Sequence, residues 1–98
     1  MKLVAMYTQP DDVDAFETEY ANHIKLVDAI PGLQETRLTR FSRTLQGSGF
    51  YLMAEMIFPD KATFKTAMRS PEMAATGKDA NRFAADILTL MIATEDGA

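Results

Sequence analysis

The sequence predicts a single α+β domain spanning residues 1–98, with a four-stranded antiparallel sheet and helices on one of its faces. Apolar residues recur at helical spacing in two regions, one after residue 12 and one after residue 60. Four short runs rich in strand-forming residues flank and separate these two regions. A chain of 98 residues with 47% hydrophobic and 24% charged residues has the composition of one globular domain.

The first strand and the first helix follow from the residue pattern. Residues 2–8 form a short strand-forming run that a proline ends. Asp11 or Asp12 is the expected N-cap of the helix, because a carboxylate accepts hydrogen bonds from the free backbone N–H groups there. The apolar face of this helix is formed by Val13, Phe16, Tyr20, Ile24, Val27 and Ile30. Pro31 and Gly32 end it, since proline disfavours helical geometry in the preceding residue and glycine accepts positive φ.

The middle of the chain predicts a β-hairpin. Residues 33–43 alternate loosely and carry charged side chains on both faces of the predicted strand, which is typical of an edge strand exposed to water. Residues 46–49 supply two glycines for the hairpin turn. Residues 50–58 are apolar on both faces except at Glu55, so we expect a strand that is covered on both faces.

The last part of the chain predicts a second helical region and a final strand. The helical pattern begins after Pro59 and restarts at Ser70, a good N-cap that a proline follows. Gly77 is expected to interrupt this pattern, and the segment Asn81-Arg82-Phe83 then leads to the final strand. Residues 87–94 form that strand and are again apolar on both sides.

The order strand, helix, strand, strand, helix, strand is that of the split βαβ, or ferredoxin-like, fold. Two helical regions can cover only one face of a four-stranded sheet. The other face would leave apolar side chains of the third and fourth strands in contact with water. We therefore expect a homodimer in which two sheets meet through a symmetric interface.

His23, the only histidine in the chain, lies at the edge of the apolar face of the first helix. An imidazole there could exchange a proton with a carbonyl or enol-like ligand, and tyrosine hydroxyls could stabilise an oxyanion. The alternative is a core histidine that bonds to a backbone carbonyl or a tyrosine hydroxyl. The candidate cavity neighbours, each of which could instead simply fill the core, are Tyr7, Tyr20, Tyr51 and Phe83.

Glu55 needs a partner, because a carboxylate in an apolar strand is costly when it is buried and unpaired. Arg40 and Arg37 on the neighbouring strand could reach it, and Arg43 could do so across a dimer. We expect a structural ion pair, with Arg40 as the first candidate. The alternative makes Glu55 the acid partner of His23.

Composition also limits the classes of partner and cofactor. Without cysteine, the chain has no disulfide scaffold and no thiolate metal site, and one histidine cannot build an all-nitrogen zinc site. We expect no metal and no cofactor. The net charge of −4, with no basic patch, argues against nucleic acid as a partner. No segment is long and apolar enough for a signal peptide or a membrane span, which predicts a cytoplasmic protein without membrane association.

Four stretches carry a resemblance to a known family. They read Phe-Glu-Thr-Glu-Tyr-Ala-Asn-His at 16–23, Ile-Pro-Gly-Leu at 30–33, Tyr-Leu-Met-Ala-Glu-Met-Ile-Phe at 51–58 and Ser-Pro-Glu at 70–72. Together they resemble the EthD family, named for ethyl tert-butyl ether degradation, over nearly the whole chain. The resemblance implies a dimeric α+β barrel with strand order 4-1-3-2. Residues 79–83, Asp-Ala-Asn-Arg-Phe, depart from the family's pattern, which has a proline in this segment.

The resemblance implies a family of mostly unknown activity, whose related small enzymes act on lactones, muconolactones and polyketide-like rings. Three functions are consistent with it. The first is a cofactor-free enzyme in which His23 is a general acid or base toward a small, mostly apolar carbonyl compound. The second is a module that binds or carries such a compound without turnover. The third is an accessory dimer whose cavity is filled by side chains.

Overall fold

The structure, a computed structural model, describes residues 1–96. The sequence predicts a frayed tail over residues 95–98, and its end, Gly97 and Ala98, lies outside the described residues. Within residues 1–96 the elements in chain order are β1 (Lys2–Tyr7), α1 (Val13–Asp28), β2 (Glu35–Arg40), β3 (Leu52–Ile57), α2 (Lys61–Met68), α3 (Pro71–Ala84) and β4 (Leu88–Ala93).

The strands form one four-stranded antiparallel sheet in the order β2-β3-β1-β4. The two halves of the chain each contribute one central strand and one edge strand, as the ferredoxin-like fold requires. The predicted α+β fold is confirmed, and the strand order is the one that the family resemblance implies.

The register divides the sheet into an inner face, which the helices cover, and an outer face. On the inner face, Ala5 of β1 lies between Ala54 of β3 and Leu90 of β4. The core forms between this face and the helices, and Tyr7 and Leu52 are its most deeply buried large side chains. On the outer face, Val4 lies opposite Glu55, and the strands there present Met6, Met53, Ile57 and Met91.

Helix α1 starts where the sequence predicts and ends slightly earlier. Asp12 is its N-cap, and a carboxylate oxygen of Asp12 accepts a hydrogen bond from the backbone N–H of Ala15 at 3.0 Å. The helix ends at Asp28 rather than Ile30. Gly32 then reverses the chain with φ +77°, and a Cβ atom on it would lie 2.3 Å from a methyl group of Thr63.

The predicted interruption at Gly77 is wrong, because α3 continues from Pro71 to Ala84. A single glycine inside a helix costs only about 1 kcal/mol relative to alanine. Packing of Met73, Ala80 and Ala84 into the core more than offsets that cost, since all three are buried. Residues 79–83 are therefore helical rather than a loop.

Ser70 caps α3, and its hydroxyl accepts a hydrogen bond from the backbone N–H of Met73 at 3.1 Å. Replacing Ser70 with alanine is expected to lower the free energy of unfolding by about 0.5–2 kcal/mol, because this N–H loses its partner. Urea denaturation followed by circular dichroism measures the change. Ser48→Ala in the exposed loop between β2 and β3 is the control, and an equal loss in both variants would contradict the capping role.

The hairpin forms with a longer connection than the sequence predicts. The strands are β2 and β3, paired from Glu35 opposite Ile57 to Arg40 opposite Leu52, and residues 41–51 connect them. Gly47 does take a positive φ of 83°. The remaining loop residues are mostly exposed, and Leu45 is 85% exposed, so too little packing exists there to extend the strands. Within the described residues, no helix is long and apolar enough to cross a membrane.

Candidate active site

A cavity of about 60 Å³ lies between the inner face of the sheet and helices α1 and α3. Its wall is mostly apolar, and the polar side chains that reach it are those of Tyr7, Tyr20, His23, Thr36, Thr76 and Asn81. Leu90 on β4 and Asn81 on α3 are the exposed lining residues. The cavity therefore opens to solvent between α3 and the edge strand β4.

Small residues on both sides keep this cavity open. Ala5 and Ala54 face each other across neighbouring strands and form its floor. Gly77 and Ala80 of α3 line the opposite side, and a Cβ atom on Gly77 would meet nothing within 4 Å. Larger side chains at these four positions would fill the space between the layers.

Replacing Gly77 with alanine is expected to raise the free energy of unfolding by about 0.5–1 kcal/mol, because alanine loses less backbone entropy in a helix and the added methyl group meets no atom. Urea denaturation measures this gain. Ala75→Gly, on the same helix, is the reverse control and is expected to cost a similar amount. A loss of stability in Gly77→Ala would contradict an open space beside this residue.

His23 is buried at the wall of the cavity and forms one hydrogen bond, to a carboxylate. Its ring Nδ1 lies 2.9 Å from Oδ2 of Asp79 on α3, and the residue is 3% exposed. Within residues 1–96, no hydrogen bond involves the other ring nitrogen, Nε2. The alternative in which His23 is a core residue bonded to backbone or to a tyrosine hydroxyl does not describe this arrangement.

Asp79 has a second partner that fixes its orientation. Its other oxygen, Oδ1, accepts a hydrogen bond from Nε of Arg82 at 3.0 Å. Arg82 also forms an ion pair with Glu19 of α1, so the contact extends from one helix to the other. Partial burial acts to raise the pKa of Asp79, but the hydrogen bonds from His23 and Arg82 outweigh it and lower that pKa below its usual value. Asp79 is therefore a carboxylate at neutral pH.

Tyr7 and Tyr20 lie beside His23 on the cavity wall. Burial raises the pKa of Tyr7 to about 12, and the nearby Asp79 carboxylate adds to the effect. Burial also raises the pKa of Tyr20 above its ordinary value, with a further contribution from Tyr7. Both hydroxyls stay protonated at neutral pH and can donate hydrogen bonds to an oxygen in the cavity. The two rings pack edge to face, with their centroids 5.7 Å apart.

The other two predicted cavity residues lie outside the cavity wall. Phe83 contacts the edge of the His23 ring, with centroids 5.4 Å apart, and so supports the ring from the side of α3. The Arg82 guanidinium lies over the ring of Phe83. Tyr51 packs against Phe16, and its hydroxyl donates a hydrogen bond to a carboxylate outside the cavity.

The predicted Glu55–Arg40 ion pair does not form. Glu55 lies on the outer face and pairs with Lys2 at 2.6 Å. Arg40 lies on the inner face and pairs with Glu17 of α1 through two hydrogen bonds, at 2.7 and 2.9 Å. The reason is strand parity, because Arg40 lies opposite Leu52, whereas Glu55 lies opposite Arg37. The same parity places Glu55 on the opposite side of the sheet from His23.

Asp79 is the site residue that the sequence analysis missed. Ending the helix at Gly77 left Asp79 in a loop, with no defined side on which to face. In a continuous helix, Asp79 shares a side with Thr76 and Phe83, and this spacing is the signal that identifies it. Thr36 was also missed. The residue lines the cavity, and its buried hydroxyl has no hydrogen-bond partner within residues 1–96.

Metal ligands are not assembled at this site. Within residues 1–96, no group of three or more histidine, aspartate or glutamate side chains is arranged to hold a metal ion. The carboxylate nearest to His23 already has both oxygens in hydrogen bonds to protein groups. The mostly apolar cavity presents one imidazole and two phenols to a ligand, whereas the Thr76 hydroxyl and the Asn81 amide already donate to backbone carbonyls of α3.

The fold and the site define a ferredoxin-like α+β protein with a cavity between its helices and its sheet. The model of the EthD domain family matches residues 9–87. The chain therefore belongs to the EthD family.

Three similar proteins extend this result. An EthD family protein from Bacillus halodurans C-125 is 45% identical, with 97% of each chain covered and a TM-score of 0.90. An uncharacterised 11.0 kDa protein of the thcB-thcC intergenic region of Rhodococcus erythropolis is 28% identical over 97% of this chain and 94% of the relative. A dimeric ferredoxin-like protein of unknown function from Thermobifida fusca YX shares the fold, at 17% identity and a TM-score of 0.64, with 92% and 87% covered.

Proposed function

We propose that this EthD protein binds a small, mostly apolar carbonyl compound in the helix–sheet cavity and uses His23 to move a proton at the carbon next to the carbonyl. The observation that carries the proposal is the His23–Asp79 hydrogen bond at the wall of an apolar cavity. A buried imidazole paired with a carboxylate, beside two neutral phenols, has the parts that enolisation needs. The conversion is proposed to need no cofactor.

In the proposed step, Nε2 of His23 takes a proton from the carbon next to the carbonyl. The C–H electron pair becomes a C=C bond, and the carbonyl oxygen takes the negative charge. Hydrogen bonds from the Tyr7 and Tyr20 hydroxyls stabilise that charge because both groups remain protonated at neutral pH. Return of the proton from Nε2 to the same carbon or to a conjugated one completes the step and regenerates the base.

The size of the cavity limits which part of a ligand it holds. Its volume of about 60 Å³ is smaller than the roughly 150 Å³ of an apolar cavity that admits benzene. The reacting group therefore lies inside, and the rest of the compound lies at the mouth beside Leu90. Met56 and Met73 line the cavity, and these flexible side chains can move to admit a ring. The Thr36 hydroxyl offers one hydrogen bond to a second polar atom of the ligand.

A titration with 2-tetralone, a bicyclic ketone with acidic protons next to its carbonyl, tests binding at this site. Methyl NMR of methionine-labelled protein reports on the seven methionines of the chain separately. Saturable shifts are expected for Met56 and Met73, which line the cavity, whereas Met68 on α2 provides an internal control. Shifts confined to the outer-face residues Met53 and Met91, or no saturable shift, would contradict binding in the cavity.

We also propose that two copies of the chain pair through the outer face of the sheet. Val4, Met6, Met53, Ile57 and Met91 give this face a large apolar component. The core cluster joins helix side chains to inner-face residues of the strands and includes none of these five, so no helix within residues 1–96 packs its core side chains against the outer face. The T. fusca neighbour is described as dimeric, which supports the same assembly here. A dimer of this kind leaves the mouth of the cavity, between α3 and β4, on the helix side of each sheet.

A further inference from the structure

The hydrogen bond between buried His23 and partly buried Asp79 supports an inference about which nitrogen of the imidazole carries the proton. We propose that Asp79 is a positioning residue that holds the neutral His23 ring with its proton on Nδ1, which leaves Nε2 as the proton acceptor in the cavity. This inference rests on the proposed function, because it assigns to one nitrogen the proton transfer proposed for His23.

The direction of the hydrogen bond follows from the state of Asp79. The carboxyl group is ionised at neutral pH, because the ordinary pKa of an aspartate, about 4, already lies well below 7 and the Arg82 guanidinium lowers it further. A carboxylate can only accept hydrogen bonds. The bond of 2.9 Å between Nδ1 and Oδ2 therefore requires that Nδ1 donates, and in a neutral imidazole Nε2 then carries the free lone pair.

Arg82 prevents the carboxylate from turning away from the ring. It occupies Oδ1 at 3.0 Å while His23 occupies Oδ2, so each oxygen has a different partner. Glu19 holds Arg82 from the other helix. Phe83 limits rotation of the imidazole, since its ring lies against the His23 ring. The ionisable groups facing this pair are Tyr7 and Tyr20, which are protonated at neutral pH, and Arg82, which is always charged.

The arrangement is similar to other sites in which an aspartate orients a catalytic histidine. Here the aspartate lies one helix away, on α3, and the histidine is on α1. A change at the Glu19–Arg82 contact is expected to alter the orientation of Asp79 without altering the cavity wall, because neither residue lines the cavity or forms a hydrogen bond with the imidazole. The role of Asp79 is therefore separable from that of the groups that would touch a ligand.

The single histidine makes this inference directly measurable. Long-range ¹H–¹⁵N correlation NMR of the full chain, labelled with ¹⁵N-histidine, gives two ring-nitrogen resonances that belong to His23 alone. The spectrum is recorded at a pH where the ring is neutral. The expected result is a protonated, pyrrole-type Nδ1 and an unprotonated, pyridine-type Nε2. The opposite assignment in the wild-type protein would overturn the inference.

Asp79→Asn gives a second, independent readout. Arg82 donates and keeps the amide oxygen, so the introduced NH₂ group faces Nδ1. Because that group donates, Nδ1 must accept, and the proton moves to Nε2. The expected spectrum therefore has the two nitrogens exchanged, whereas Asp28→Asn on the exposed end of α1 is expected to leave the wild-type pattern.

Asp79→Ala covers the case in which the asparagine variant does not fold. It removes the acceptor, and the Nδ1–H form is expected to lose its dominance. Retention of a fully Nδ1-protonated ring in both Asp79 variants, with circular dichroism showing folded protein, would overturn the inference. The proposed function fails differently, as an absence of 2-tetralone binding or proton exchange in a wild-type protein whose Nδ1 is protonated.

Discussion

Replacing His23 with glutamine is expected to slow the incorporation of deuterium into 2-tetralone by about 10²- to 10⁴-fold, the usual contribution of a positioned general base. Glutamine keeps a polar side chain that can donate a hydrogen bond to Asp79, so the partly buried carboxylate stays paired. It has no basic nitrogen to accept the proton from carbon. Proton NMR in D₂O measures the loss of signal at the carbons next to the carbonyl.

The control for this variant is Asn22→Gln, an exposed substitution on the same helix. It is expected to leave the rate of exchange unchanged. Both variants are compared at equal occupancy, which the methionine methyl shifts report. If His23→Gln binds 2-tetralone and exchanges its protons at the wild-type rate, His23 is not the base. If the wild-type protein binds without accelerating exchange, the protein is a binding module rather than an enzyme toward this ketone.

Replacing Met53 with glutamate is expected to dissociate the proposed dimer. The substitution places a carboxylate on the apolar outer face, two residues from Glu55, where a partner sheet would bury it. An uncompensated buried charge costs about 3–5 kcal/mol, which corresponds to a rise of about 10²-fold or more in the dissociation constant. Sedimentation equilibrium measures this constant directly.

Met68→Glu is the matched control, because it introduces the same charge on α2, away from the outer face. It is expected to leave the wild-type mass in solution unchanged. A wild-type protein that sediments as a stable monomer of 10.9 kDa would contradict the dimer. So would a Met53→Glu variant that associates as tightly as the control.

The element order was predictable because each element has its own local signal. Short runs of strand-forming residues indicated the strands, and Asp12 and Ser70 marked the helix starts with side chains that cap free N–H groups. The strand ends and the turn were less accurate. Their limits depend on how far neighbouring strands stay paired and packed, which residues 41–51 alone do not reveal.

The place of His23 was predictable, and its partner was not. Helical spacing put His23 on the buried side with Phe16, Tyr20 and Val27, and all four are buried. Asp79 is 56 residues further along the chain, so only the packing of α3 against α1 brings the two together. The pattern of residues around either side chain does not show that the two lie close together in the fold. Gly77 also misled the prediction, since its conformational cost inside a helix is smaller than the gain from packing around it.

Glu55 shows a second limit of local pattern. The sequence indicated correctly that this carboxylate needs a partner, and Lys2 provides one at 2.6 Å. Choosing the partner required the register between β1, β3 and β2, because a shift of one residue moves a side chain to the other face. The register depends on the whole hairpin and on β1, so Arg40 could not be excluded from spacing alone.

A titration of ¹⁵N-histidine-labelled protein with 2-naphthol, an aromatic analogue of the enol of 2-tetralone, tests the central claim that His23 contacts a ligand in the cavity. The expected result is a saturable shift of the Nε2 resonance, because the naphthol O–H donates to that nitrogen, while Nδ1 stays protonated and bonded to Asp79. The methyl resonance of Met73 is expected to shift with the same saturation curve. Binding that shifts Met73 but moves neither nitrogen of His23 would contradict the account.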